Sequence, residues 1–123
     1  MGRAKRWGWM VCLIGFASGA FNHARDFAAW GWRPYSWGGP MLEAFWTALL
    51  PLDLLVVALI LTRRRRAGLV LAVAIMVVDV ATNGFATWRF GVTAFAPSLL
   101  IQACFLGYLL GALPFLWRDK PRG

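Results

Sequence analysis

Two aspartates lie inside stretches of sequence that are otherwise apolar enough to cross a membrane. Asp79 follows the run Leu-Val-Leu-Ala-Val-Ala-Ile-Met-Val-Val, and Asp53 lies within the preceding apolar segment. Because a carboxyl group in hydrocarbon is costly, an ionisable residue within a span marks a functional site by default. Such a group can exchange a proton, bind a cation when deprotonated, or hydrogen-bond to a neighbouring helix. The two aspartates therefore predict a buried acidic site.

Amide and carboxyl side chains extend this polar set. With a rise of about 1.5 Å per residue and a core of about 30 Å, Asp53 lies roughly 12–15 Å and Asp79 about 18 Å from the cytoplasmic edge, with Gln102 at a similar height. Asn83 follows Asp79 by one helical turn on the same face. Hydrocarbon offers these groups no hydrogen bonds, so we expect them inside the bundle. The predicted ligand- or proton-binding residues are Asp53, Asp79, Asn83, Glu43 and Gln102, and no catalytic residue is assigned.

A second polar group is predicted at the external end of the helices. His23 and Asp26 are three residues apart on one helix face, and Arg89 lies at the same level on a later helix. A histidine suits the reception of a proton near neutral pH. We therefore predict an external polar cluster of His23, Asp26 and Arg89. One histidine without a cysteine partner is a sparse ligand set, so no metal and no other cofactor are predicted.

A structural alternative for Asp79 is a clamp between helices, made by hydrogen bonds to Asn83 or Gln102. A neutral amide would serve a clamp at less cost than an acid, which favours a functional role. Asp53 is further marked by Pro51, which removes one backbone hydrogen bond from its helix.

The composition indicates an integral membrane protein of one domain. The chain has 123 residues, 60% of them hydrophobic, and a mean hydropathy of +0.61, well above that of a soluble domain. The predicted fold is all-α, with four transmembrane helices in an up-down bundle. They cover residues 7–26, 41–62, 67–86 and 92–117, and the external loop covers 27–40.

The basic residues predict the orientation of these helices. Most of them form three clusters next to apolar runs, and only Arg25, Arg33 and Arg89 lie on the opposite side. By the positive-inside rule both termini are cytoplasmic, in what we predict to be a bacterial inner (plasma) membrane, and two termini on one side require an even number of crossings, in agreement with four. The net charge of +8 is therefore a topology signal with membrane lipid as partner, and nucleic-acid binding is not predicted. The clusters are Arg3, Lys5 and Arg6; Arg63 to Arg66; and Arg118, Lys120 and Arg122.

A cleaved leader is an alternative for the first apolar segment. The basic residues up to Arg6, a short apolar stretch and the small residues at 18–20 have the order of a secretory signal, and cleavage would leave three helices. We favour an uncleaved helix, because its pattern continues through Asn22 to Trp30. N-terminal sequencing of the purified protein distinguishes the two.

The aromatic and glycine residues allow two readings each. Most tryptophans, with Tyr35, fall at segment ends, where they either anchor the helices at the interface or build a lid from the external loop. We favour anchoring.

Glycine pairs four residues apart, at 15 and 19 and at 107 and 111, let backbones approach closely, either within one bundle or between protomers.

Three function classes fit these features. The first is transport of a proton, cation or small solute, or binding of a small ligand, by a homodimer that supplies the missing wall of a small bundle. The second is an accessory subunit of a larger membrane complex, in which the polar groups serve assembly. The third is an intramembrane enzyme that uses a carboxyl group for acid–base chemistry on a lipophilic substrate. We rank transport or ligand binding first.

Overall fold

The computed structural model describes residues 1–91 and 93–118, and the fold is built from four α-helices. Two short 3-10 turns lie in the connections, and the described residues contain no strand. The predicted all-α class is therefore confirmed. The helices are α1 (Arg3–Trp30), α2 (Pro40–Leu61), α3 (Arg65–Phe90) and α4 (Ala96–Trp117), and the turns are Ser36–Gly38 and Thr93–Phe95.

Glycine and proline set several helix ends. α1 ends before Gly31, at φ +83°, and α3 ends before Gly91, at φ +62°. Glycine adopts this left-handed backbone without a steric penalty. α2 begins with Pro40, whose missing N–H costs nothing in the first turn.

The helix bounds differ from the prediction mainly at the ends of α1 and α3. Both helices continue four residues further than expected, to Trp30 and Phe90, so the first connection is only residues 31–39. Val92, the predicted start of the fourth helix, lies outside the described residues, as do Lys120 and Arg122 of the last basic cluster.

The four helices form a ring in which each packs against two neighbours. α1 contacts α2 and α4, and α3 contacts the same two helices from the opposite side. The Lys5 ammonium donates a hydrogen bond to the carbonyl of Arg118, so both ends of the described chain meet at one end of the bundle. We call this the arginine end (residues 1–6, 62–66 and 118). The opposite end is the tryptophan end (residues 30–39, 88–91 and 93–95).

The described helices make this a membrane protein. Three of them, α2, α3 and α4, are long and apolar enough to cross a membrane. α1 has 28 residues and is less apolar than the other three, but it runs along the same bundle from end to end. Most large apolar side chains at the surface point outward from the helices, as hydrocarbon contact requires.

Close packing between α1 and α4 depends on glycines of α1. A Cβ at Gly15 would lie 2.3 Å from Cζ of Phe105, and the Tyr108 hydroxyl donates a 2.9 Å hydrogen bond to the carbonyl of Gly8. A Cβ at Gly107 or Gly111 of α4 would meet nothing within 4 Å. The α1 glycines therefore serve contacts within the bundle, whereas those of α4 face outward.

The tryptophans and cysteines fall into buried and exposed groups. Trp7, Trp30, Trp32, Trp37, Trp88 and Trp117 are exposed, in keeping with interface anchoring. Trp9 differs from these residues, because it is 5% exposed and belongs to the core at the arginine end. The α1 helix begins at Arg3, four residues earlier than predicted, which moves Trp9 into its second turn. Cys12 is buried and Cys104 exposed, and both are free thiols.

Candidate functional site

Asn83 on α3 joins three helices through its side-chain amide. Its Oδ1 accepts a 2.8 Å hydrogen bond from the indole N–H of Trp46 on α2. Its Nδ2 donates to Oδ1 of Asp79, at 3.0 Å, and to Oε1 of Gln102 on α4, at 2.8 Å. Both hydrogens of the amide nitrogen are thus used. The structure therefore brings together three of the predicted site residues, Asp79, Asn83 and Gln102, around one amide.

Asp53 and Asp79 are the buried polar side chains of the described residues, at 5% and 7% exposure. By helical rise, Asp79 lies about 21 Å from the first residue of α3 and Asp53 about 12 Å from the last residue of α2, so Asp53 is deeper toward the arginine end. The two carboxyl groups are close enough to repel each other when both are ionised. They form an acidic pair inside the bundle, with Asp79 next to Asn83 and Asp53 beyond it.

The Asp53 carboxyl group receives no hydrogen bond from any described residue. However, every side-chain oxygen or nitrogen that is completely buried in residues 1–91 and 93–118 has a hydrogen-bond partner. The Asp53 oxygens must therefore border open space. Pro51 lies inside the same helix, two residues before Asp53, and supplies no backbone N–H for the helix. Asp53 is the member of the pair that is free to bind an added proton or ion.

A cavity of about 340 Å³ opens at the tryptophan end, above the acidic pair. Asn83 and Gln102 border it on the side of Asp79, and aromatic rings form much of its wall. Trp46 contacts Tyr35 and Trp37, with ring centroids 5.8 and 5.3 Å apart. We call this space the tryptophan-end cavity. Its lining residues are His23, Asp26, Trp30, Pro34, Tyr35, Trp37, Trp46, Asn83, Phe95, Ser98, Leu99 and Gln102.

A hydrogen-bonded triad forms one wall of this cavity. The Tyr35 hydroxyl donates a 2.6 Å hydrogen bond to Oδ2 of Asp26, and its oxygen lies 2.8 Å from Nδ1 of His23. Since the hydroxyl hydrogen is directed at Asp26, Nδ1 of His23 is the donor in the second bond. Burial, and then the hydrogen bond and charge of Asp26, raise the pKa of Tyr35 above its ordinary value. His23 and Asp26 are thus together, as expected, and Tyr35 joins them.

The two remaining predicted residues lie apart from the acidic pair. Glu43 forms a bidentate ion pair with Arg33, at 2.7 and 2.9 Å, in which the Arg33 side chain is 74% exposed and that of Glu43 19%. The hydrogen bonds and charge of Glu43 raise the pKa of the Arg33 guanidinium. Arg89 is exposed and lies 5.7 Å from the ring centroid of Phe90. The structure shows no contact of Arg89 with His23 or Asp26.

The polar path ends at Asp53. Between this residue and the arginine end, every helix contributes apolar side chains to a closed core. No polar side chain is buried there in the part of the chain that the structure describes. The hydrogen bonds of the acidic pair lead toward the tryptophan end, from Asp79 to Asn83 in the cavity wall. The closing residues include Cys12, Val56, Ile60, Leu69, Ala72, Leu109 and Leu116.

Trp46 and Tyr35 belong to the site but are missing from the sequence-based set. Trp46 is 5% exposed, and the signal for it is an indole N–H well inside an apolar helix, which needs an acceptor. Tyr35 has no such signal, because its hydrogen bond to Asp26 depends on the path of the connection. No three histidine, cysteine, aspartate or glutamate side chains of residues 1–91 and 93–118 lie close enough to hold a metal ion.

Comparison with known proteins adds no relative to this description. No protein-family model matches the chain, and neither a curated protein nor a solved structure matches it.

Proposed function

We propose that this protein is a small membrane transporter that takes a proton or a small cation from the tryptophan-end cavity to Asp79 and Asp53. One observation carries the proposal: hydrogen bonds connect the cavity wall, through Asn83, to Asp79 of the buried acidic pair. Because the path opens at the tryptophan end and closes beyond Asp53, it has the form of a half-channel that leads to a binding site.

The charge balance around the acidic pair supports a positive cargo. Neither Asp53 nor Asp79 forms an ion pair with a described residue. Arg33 is engaged by Glu43, and Arg89 lies over Phe90. Buried negative charge without a partner is strongly unfavourable, and a bound proton or cation removes that cost.

The size and chemistry of the cavity support a small cargo. At about 340 Å³ it lies at the lower end of ligand cavities, which range from about 300 to 1,000 Å³. It holds room for roughly ten water molecules at about 30 Å³ each. The Asp26 carboxyl group and the His23 ring at its wall provide acceptors and a proton-exchanging group where a cation enters.

The orientation of the path follows from the basic residues. We place both termini and the arginine end in the cytoplasm of a cell with this protein in its inner membrane, by the positive-inside rule. The tryptophan-end cavity then opens to the exterior. Cargo would enter from outside and stop at Asp53 until the apolar core at the arginine end opens.

We also propose that the transporter is a homodimer that pairs through α4. Only 11% of the most apolar stretch of α4 is buried inside the bundle, a smaller share than for α2 or α3. Gly107 and Gly111 face open space on this helix, and small residues let two helices approach closely. Cys104 is exposed on α4, whereas Cys12 is buried.

Oxidative cross-linking in membranes should therefore give a dimer that Cys104→Ser abolishes and Cys12→Ser does not. If the unaltered protein remained monomeric, that result would contradict this pairing.

Flux measurements in proteoliposomes test the transport proposal. Purified protein should carry protons, followed with an internal pH dye, or Na⁺ or K⁺, above the rate of empty liposomes. Asp79→Asn and Asp53→Asn should each reduce flux to the background, because an amide cannot carry the proton or charge. Glu43→Gln is the matched control and should retain flux, since Glu43 pairs with Arg33. Absence of flux in the unaltered protein, or full flux in Asp79→Asn, would refute the proposal.

A further inference from the structure

A second and larger cavity, of about 840 Å³, lies at the arginine end. Three segments form its wall: the start of α1, the connection between α2 and α3, and the end of α4. Lys5, Arg63, Arg64 and Arg65 line it, and Trp9 and Leu116 supply an apolar side. We call this space the arginine-end cavity. It is separated from the tryptophan-end cavity by the apolar core beyond Asp53.

Two arginines at this cavity, Arg63 and Arg64, lack a charged partner among the described residues. No described residue forms an ion pair or a side-chain hydrogen bond with the guanidinium group of Arg63 or Arg64. Arg65 extends across the cavity toward Met1, with Nη1 3.5 Å from Sδ, and Nε of Arg65 donates to the carbonyl of Ile60 at 3.4 Å. The described residues of this end, 1–6, 62–66 and 118, include eight lysines and arginines and no aspartate or glutamate. Like charges held around one space repel each other, and a bound anion offsets that repulsion.

We propose that the arginine-end cavity binds the phosphate group of an anionic phospholipid. Arginine binds phosphate with paired N–H groups in a fixed planar geometry. The cavity lies at the end of three helices that can cross a membrane, which is the level of the lipid headgroups. Basic pockets between helices at the cytoplasmic face bind anionic headgroups.

The apolar side of the cavity favours a lipid over a free anion. Met1 and Leu61 line the cavity and are 57% and 68% exposed, so they offer apolar surface next to the arginines. A free phosphate has no apolar atoms to bury against this surface, whereas a lipid buries its glycerol and first acyl carbons there.

Native mass spectrometry of the full-length protein in detergent tests this site. Delipidated protein is mixed with phosphatidylglycerol, which is anionic, or with phosphatidylcholine, which has no net charge. We expect one phosphatidylglycerol per protomer at about tenfold lower concentration than phosphatidylcholine needs, and displacement of the lipid by millimolar inorganic phosphate. Equal binding of the two lipids would overturn the proposal. So would tight binding of inorganic phosphate with no binding of phosphatidylglycerol, because the ligand would then be a free anion.

Three double variants separate a built site from net charge. Arg63→Gln with Arg64→Gln should raise the phosphatidylglycerol concentration needed about tenfold. Arg63→Lys with Arg64→Lys should give a smaller loss, since lysine keeps the charge but not the paired N–H groups. Arg25→Gln with Arg89→Gln removes the same charge from exposed positions elsewhere and should change nothing. All should keep the size-exclusion profile and helix content of the unaltered protein. An equal loss in the Arg25 and Arg89 variant would show that net charge alone attracts the lipid and would refute the site.

Discussion

Gly19 of α1 faces the carboxyl group of Asp53 on α2: a Cβ atom at Gly19 would lie 2.7 Å from Oδ2 of Asp53. The absence of a side chain at Gly19 is thus what leaves room for a buried acid between these two helices. Glycine in the middle of a helix destabilises it by about 0.5–1 kcal/mol relative to alanine. Position 19 therefore has a glycine although alanine would favour the helix itself.

Gly19→Ala should therefore destabilise the protein, by about 1–3 kcal/mol, because the added methyl group overpacks the contact with Asp53. Thermal unfolding in detergent, followed by helix content, measures the effect. In an Asp53→Ala background the same change should be neutral or stabilising, since the oxygen that it meets is gone. Gly107→Ala is the matched control on α4, where nothing lies within 4 Å. Equal effects of Gly19→Ala in both backgrounds would contradict this contact.

Asn83→Ala should destabilise the bundle by about 2–4 kcal/mol, because it leaves the Trp46 indole N–H and the carbonyl of Gln102 without partners in the interior. Trp46→Phe removes only one of these bonds and should cost about 1–2 kcal/mol. A double-mutant cycle of the two changes should show coupling, measured by unfolding in detergent. Additive costs would mean that the hydrogen bond between Trp46 and Asn83 contributes nothing.

Tyr35 should ionise at higher pH than an ordinary tyrosine, whose pKa is about 10. A pKa that is raised in the folded state means that the contribution of Tyr35 to stability is complete below the unfolded value and is lost as pH rises through the folded value. A near-ultraviolet titration of tyrosinate should show a late phase that is missing in Tyr35→Phe. Subtraction of the Tyr35→Phe curve from that of the unaltered protein isolates this residue, and a phase at the ordinary pH would contradict the prediction.

Glu43→Gln should cause only a small decrease in Tm, because the Arg33 side chain of this ion pair is largely exposed to solvent. The decrease should shrink further in high salt, which screens exposed charges. Arg33→Gln should give the same result, and the two changes together should equal either alone. A large decrease in Tm that persists in high salt would place Glu43 in the core instead.

The sequence predicts the helices and part of the site for reasons that are local. Asp79 and Asn83 are one helical turn apart, so their contact follows from helical geometry alone. Gln102 is predictable as a neighbour only through its depth in the membrane, which a helix rise of about 1.5 Å per residue supplies. Long apolar runs identify α2, α3 and α4 in the same way.

The remaining parts depend on the connections between helices. The first connection, residues 31–39, brings Arg33 to Glu43 and Tyr35 to Asp26, and no periodic pattern specifies its path. Arg89 illustrates the opposite case: its depth agrees with the external cluster, but the structure turns it toward Phe90. Depth along a helix can be estimated from sequence, whereas direction around the helix requires the packing of its neighbours.

The amide of Asn83 also has a mechanical consequence. It holds Trp46 on α2 and Gln102 on α4 at the same time, and it has no hydrogen left to donate elsewhere. α2 and α4 therefore cannot slide past α3 independently without breaking one of its bonds. A change at Asp79 that draws the amide away would release both helices at once, so this one side chain couples the positions of α2, α3 and α4.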